Sequence, residues 1–166
     1  TDLMGVLRLY LRKEIDELDR EGLRIRFIGE RALLDPDIIG LIEACEHKTQ
    51  WNTALELIVA LSYGSRQEIS MAAQQLARDV VAGIIDPEAI DENAINNRMF
   101  TFDLPDPDLI VRTGGEKRIS NFLLWQAAYA ELMFIDVLWP DFSMEDLEKM
   151  VAEFGRRERR YGNITA

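Results

Sequence analysis

"DLIVRTGGEKRISNFLLWQ", residues Asp108 to Gln126, decides how the chain is read. An apolar run, Leu109 to Val111, ends in Arg112. Two glycines, Glu116, Lys117 and Arg118 follow, and Ser120 opens a second apolar run. The first run has the composition of a strand. The second predicts a helix over residues 120–130, with Ser120 as N-cap and Ile119 and Leu124 at the spacing of a hydrophobic staple. A strand that passes through a glycine-rich joint into a helix is half of an α/β unit, and in open α/β sheets ligands gather at such carboxyl ends.

The joint has the chemistry of an anion seat. Gly114 and Gly115 allow close backbone approach or positive φ. Arg112 and Arg118 carry forked donors that match phosphate oxygens better than a lysine's point charge does. A helix beginning at Ser120 would add unpaired N–H groups and the favourable end of its dipole. Neither glycine spacing makes a phosphate-binding P-loop or a dinucleotide fingerprint. The same residues read without a ligand give a glycine-rich turn with solvated charges.

Outward from this joint, strands alternate with helices of ten or more residues. "LRIRFIGE", Leu23 to Glu30, alternates apolar and basic residues and predicts a strand. Asp35-Pro36 opens a helix reaching about Lys48, with Pro36 suited to its first position. "ALELIVALSYG", Ala54 to Gly64, is nearly all apolar at its centre and predicts a strand covered on both faces. A helix then runs from Gly64 or Ser65 to Gly83, followed by one or two short helices after Asp86-Pro87. "PDPDLIVR" and "LMFIDVLW" give two further strands, and the segment from Ser143 to Gly162 a last helix. This alternation predicts one α/β domain over residues 1–166, an open, mainly parallel sheet with helices on both faces.

The totals narrow the function. The chain of 166 residues carries 19 Lys and Arg against 30 Asp and Glu, a formal net charge of −11. A general nucleic-acid binder needs a basic footprint, so that class is excluded, and an anionic ligand must be held by a local cluster against the overall field. The single cysteine, Cys45, excludes an intrachain disulfide or a cysteine metal site, reads as a small core residue, and fits a reducing cytoplasm. The single histidine, His47, reads as surface or structural. No apolar run reaches the ~20 residues of a membrane helix.

The opening "TDLMGVLRLYLRKEIDELDREG" predicts a helix from the first residues, with Leu3, Leu7, Leu11, Ile15 and Leu18 on one stripe, Thr1 or Asp2 as cap and Gly22 as terminator. So abrupt a start reads as the later part of a longer protein.

The span Asp108 to Phe142, "DLIVRTGGEKRISNFLLWQAAYAELMFIDVLWPDF", closely resembles the C-terminal signature of the cis-prenyltransferase family. "KTQWNTALELIVALSYGSRQEI", Lys48 to Ile69, is similar to the family's strand and helix around Ser62-Tyr63-Gly64-Ser65-Arg66. "RERRYG", Arg157 to Gly162, is similar to its closing Arg-x-Gly segment. The whole chain resembles the later two-thirds to three-quarters of such an enzyme.

The resemblance implies condensation of isopentenyl diphosphate onto an allylic diphosphate such as farnesyl diphosphate. The product would be a long polyprenyl diphosphate serving as a cell-wall lipid carrier. It also implies Mg²⁺, a homodimer, and a cytoplasmic protein, peripheral to the membrane where product is handed over. Arg112, Arg118 and Ser120 would hold isopentenyl diphosphate. Arg160 and Gly162 would reach the neighbouring subunit's active site, and Glu131 would serve Mg²⁺. The family's catalytic aspartate belongs to an earlier segment with no counterpart here, so this chain alone is expected to turn over almost nothing. Lys117 stands where some members carry a metal-linked histidine, a role a protonated lysine cannot fill. An apolar tunnel for the product would be lined by Leu3, Leu7 and Leu11 and by the strand from Leu57 to Leu61. Phe122, Trp125 and Tyr129 read as a core or subunit-contact stripe. A non-catalytic partner subunit or isopentenyl-diphosphate-binding module of the same fold is the alternative.

Overall fold

A computed structural model describes residues 3–157; Arg160 and Gly162, like the caps expected at Thr1 or Asp2, lie outside the described residues. The described residues pack as two compact units, divided between Thr101 and Phe102.

In the first unit the order is α1 (Leu3–Lys13), α2 (Ile15–Arg20), β1 (Leu23–Ile28), α3 (Pro36–Thr49), β2 (Leu55–Ala60), α4 (Ser65–Val81) and α5 (Glu92–Asn96). The predicted opening helix is thus divided at Glu14, and Gly22 closes it with φ of 78°. β1 and β2 pair in parallel from Leu23 opposite Leu55 to Ile28 opposite Ala60. Successive strand side chains point to opposite faces, which sends Ile25 and Phe27 to one side. There they meet Leu34, Ile38, Ile42 and Cys45, with Leu11 of α1 in the same core. Ile38, Ile42, Cys45 and Thr49 recur at helical spacing and are all buried. Full burial of an isoleucine side chain is worth roughly 1.5–3 kcal/mol, so Ile38 and Ile42, both at 0% exposure, anchor α3 to β1.

Polar groups lock the same interface. Thr49 Oγ1 donates to Cys45 O at 2.9 Å and accepts from the Ile25 N–H at 3.1 Å. Glu46 accepts from the Phe27 N–H at 2.9 Å and from Arg31 at 2.6 Å. On α4, buried Glu68 accepts from the Phe100 N–H at 2.7 Å and from the Tyr63 hydroxyl at 2.6 Å, tying both ends of the unit's last stretch to the helix. Asp79 accepts from Arg98 at 2.5 Å and from Gln75 at 2.9 Å.

β2 departs from its expected coverage. Leu55 and Leu57 are 58% and 38% exposed. Among the described residues β2 pairs with β1 alone, so an apolar composition suited to a central strand has a neighbour on one side only.

The second unit contains β3 (Leu109–Arg112), β4 (Glu131–Phe134) and α6 (Met144–Phe154). β3 and β4 are parallel, from Leu109 opposite Glu131 to Arg112 opposite Phe134. Ser143 caps α6 in a reciprocal box with Asp146. The helix predicted over residues 120–130 is replaced by a run of turns. Ser120, Asn121 and Leu123 have φ of 47°, 65° and 48°, a left-handed backbone that cannot start a right-handed helix. Phe122 and Tyr129, 41% and 80% exposed, therefore do not form a core stripe with Trp125.

Candidate anion-binding site

The end of β3 delivers Arg112 to the joint, and the two glycines fold the chain back onto the exit of β4. Gly114 and Gly115, with φ of 84° and 73°, donate their N–H groups to Val137 O and Ile135 O, both at 2.9 Å. A Cβ on Gly115 would sit 3.1 Å from Asp136 Oδ1, so the loop lies tightly against that segment.

Three predicted residues converge there. Arg112 Nη1 donates to the Ser120 hydroxyl at 2.7 Å and to Arg118 O at 2.5 Å. Arg112 Nη2 donates to Glu116 Oε2 at 2.6 Å, and Arg118 Nη2 pairs with the same oxygen. Two guanidiniums thus meet at one carboxylate oxygen, the chemistry a phosphate oxygen would meet, and the Ser120 hydroxyl braces the other terminal nitrogen of Arg112. Ser120 contributes through its side chain and not as an N-cap; with its φ positive, the helix dipole expected behind it is not part of the seat. Glu116 went unassigned in the sequence. Its signal was its place between the glycine pair and Arg118, two positions from that arginine and four from Arg112.

Glu131 is not in this cluster. It starts β4 opposite Leu109, three positions back from Arg112, about 10 Å of strand rise. Its Oε2 accepts from Arg157 Nη1 at 3.0 Å, while Arg157 Nη2 donates to Glu153 at 2.6 Å. Glu153, then Glu131, raise the Arg157 pKa through these bonds. Mg²⁺ is bound by carboxylates together with substrate phosphates and water. Glu131 offers one suitable oxygen, and among the described residues no group of three His, Cys, Asp or Glu could hold a metal. Lys117 is exposed beside the seat.

The first unit holds a separate apolar cavity of about 120 Å³, lined by Leu7, Leu11, Ile15 and Leu18 across from Leu57 and Val59. Of the expected lining, Leu7, Leu11, Leu57 and Val59 are present; Ile15 and Leu18 were read only as helix stripe. Cavities of ~150 Å³ take up benzene, so the space suits about one isoprene unit and not a long chain. Cys45 also faces this cavity, and burial pushes its thiol up to about 11.

The family model for undecaprenyl diphosphate synthase matches residues 1–162. The chain belongs to the undecaprenyl diphosphate synthase family. It is 51% identical over 165 residues to isoprenyl transferase 2 of Bradyrhizobium diazoefficiens, covering 99% of this chain and 66% of the relative. It is 49% identical over 152 residues to the ditrans,polycis-undecaprenyl-diphosphate synthase, (2E,6E)-farnesyl-diphosphate specific, of Xylella fastidiosa, covering 92% and 60%. Among solved structures it resembles lavandulyl diphosphate synthase from Lavandula x intermedia in complex with dimethylallyl diphosphate, with a TM-score of 0.93 and 34% identity over 97% of this chain and 70% of that one. The chain spans a little under two thirds of the length of the curated relatives it matches, 66% for the Bradyrhizobium protein. No helix among the described residues is long and apolar enough to cross a membrane.

Proposed function

We propose that the protein is a cis-prenyltransferase and that Arg112, Arg118 and Ser120 hold the diphosphate of isopentenyl diphosphate. The observation that carries this reading is the meeting of both guanidiniums on one carboxylate oxygen at the carboxyl end of β3, with the Ser120 hydroxyl accepting from Arg112 beside it. Family membership supplies the reaction class.

In the reaction, the C–O bond of an allylic diphosphate breaks and the diphosphate leaves with the electron pair. The isopentenyl double bond supplies the electrons of the new C–C bond, and a proton is lost to restore a double bond. The chain's own part is to fix the isopentenyl diphosphate so that its double bond is presented in one orientation, which removes most of the entropic cost of the encounter. The apolar cavity beside Leu11 and Leu57 has the chemistry to take an isoprenoid group. A divalent cation, when bound, neutralises diphosphate charge; Glu131 would give it one oxygen once released from Arg157, with diphosphate oxygens and water as further ligands. A homodimer with Arg160 and Gly162 reaching the partner's site, farnesyl diphosphate as starter, and hand-over of product at a membrane belong to the same proposal.

Titration calorimetry with isopentenyl diphosphate tests it. Binding should weaken at least roughly tenfold in Arg112→Ala and in Arg118→Ala, about the loss of one charge-assisted contact each, and keep a strong salt dependence in the unaltered chain. Affinity that survives both substitutions together overturns the reading.

A further inference from the structure

We infer that Glu116 is a positioning residue: its carboxylate clamps the guanidiniums of Arg112 and Arg118 into one seat for a diphosphate. The inference rests on the proposed reading of that seat. Two like charges repel, and the arginines differ in how the chain restrains them. Arg112 is fixed without Glu116, because its Nη1 already donates to Ser120 Oγ and to Arg118 O. Arg118 has a side chain 64% exposed, and its guanidinium is held by its pair with Glu116. One oxygen, Oε2, serves both arginines, which brings the two Nη2 atoms to a common point and leaves Arg118 Nε and Nη1 for a ligand.

The backbone aims this carboxylate. Gly114 and Gly115 turn the chain through positive φ and are pinned to Val137 and Ile135, so residue 116 leaves a fixed corner and not a loose loop tip. A carboxylate in such a place has two possible effects on an anion. It can compete for the arginines, or it can hold them in register. The second governs here, because Glu116 spends one oxygen edge on the pair and a diphosphate brings more charge and more oxygens to the donors that remain.

The test is calorimetric titration of inorganic pyrophosphate and of isopentenyl diphosphate into the full chain, comparing wild type with Glu116→Gln, Glu116→Asp, Arg112→Ala and Arg118→Ala. Glu116→Gln keeps the shape and removes the charge; it should weaken pyrophosphate binding roughly tenfold, about the loss of one charge-assisted contact. Glu116→Asp should recover part of that loss, a rescue that a merely structural role would not produce. Near-UV circular dichroism and thermal melts establish that each variant is folded, and the Asp variant keeps the test open if the Gln variant is not. Unchanged or tighter pyrophosphate binding by folded Glu116→Gln overturns the clamp and makes Glu116 a competitor. If the arginine variants lose binding while Glu116→Gln does not, the clamp alone fails. If wild type does not bind, or the arginine variants bind as wild type does, the reading of the seat fails and takes the clamp with it.

Discussion

Arg118→Ala separates holding a ligand from holding the fold. The substituted side chain is 64% exposed and pairs with Glu116, itself 42% exposed. An ion pair so open to water is worth ~0.2–1 kcal/mol, so the loss in unfolding free energy should stay below about 1 kcal/mol. Binding loses more. A charge-assisted hydrogen bond to a diphosphate oxygen is worth ~1.5–3 kcal/mol net, which is roughly a 10- to 150-fold rise in Kd at 1.4 kcal/mol per decade. Arg112 cannot make this separation, because its guanidinium also ties Ser120 Oγ and Arg118 O and its removal loosens the loop. The assay pairs titration calorimetry with isopentenyl diphosphate and urea denaturation on the same preparation. The gap between variant and wild type should narrow as salt rises, since the Arg118 side chain is 64% exposed and an ion pair open to solvent is weakened by salt. A folded Arg118→Ala chain whose Kd lies within about twofold of wild type refutes the reasoning.

Thr49→Val should destabilise the first unit by about 1–3 kcal/mol in urea melts, because the buried Ile25 N–H then loses the acceptor Oγ1 that it reaches at 3.1 Å. Arg98, and after it Gln75, hold Asp79 below the ordinary carboxylate range. The stability this gives is present above the unfolded-state value of ~4 and is lost as pH falls through the depressed folded one; Arg98→Met should therefore move the acid-unfolding midpoint, followed by circular dichroism, to higher pH. The Cys45 thiol, raised to about 11 chiefly by burial and then by Glu46, favours the fold below its ordinary 9.0 and costs stability progressively as pH climbs between those values. At pH 8 it should label with a disulfide reagent far more slowly in the native chain than in urea.

Much of the fold was legible because local chemistry and tertiary demand agreed. Pro36 opens α3 where the Asp-Pro pair placed it, Gly64 and Ser65 begin α4, and each of the four strands overlaps an apolar run read from the sequence, although β4 keeps only Leu132 to Phe134 of "LMFIDVLW". The failure at residues 120–130 has the opposite cause. "NFLLWQAAYA" is rich in helix-compatible residues, and nothing local marks Leu123 for a φ of 48°. Exposure of β2 was likewise invisible, since coverage depends on neighbours and not on the strand's own composition. Within the seat, Arg112, Arg118 and Ser120 could be named because their donor chemistry is unusual in an acidic chain. Glu116 could not, because a carboxylate in a cation-rich loop reads as charge balance until its oxygen is seen between two guanidiniums.

The pinning of Gly114 and Gly115 to Val137 and Ile135 ties the seat to the strand pair in one further respect. The donors of those bonds precede Glu116 in sequence, and their acceptors follow β4, so the seat exists only while β3 and β4 are side by side. Ligand occupancy and strand pairing then share one free energy, and whatever fills the seat must lower the population in which the pair is open. Hydrogen exchange at the Gly114, Gly115 and Ile135 amides becomes a readout of occupancy: the ligand acts as a brace across the sheet, and its departure is where local unfolding of this unit would begin.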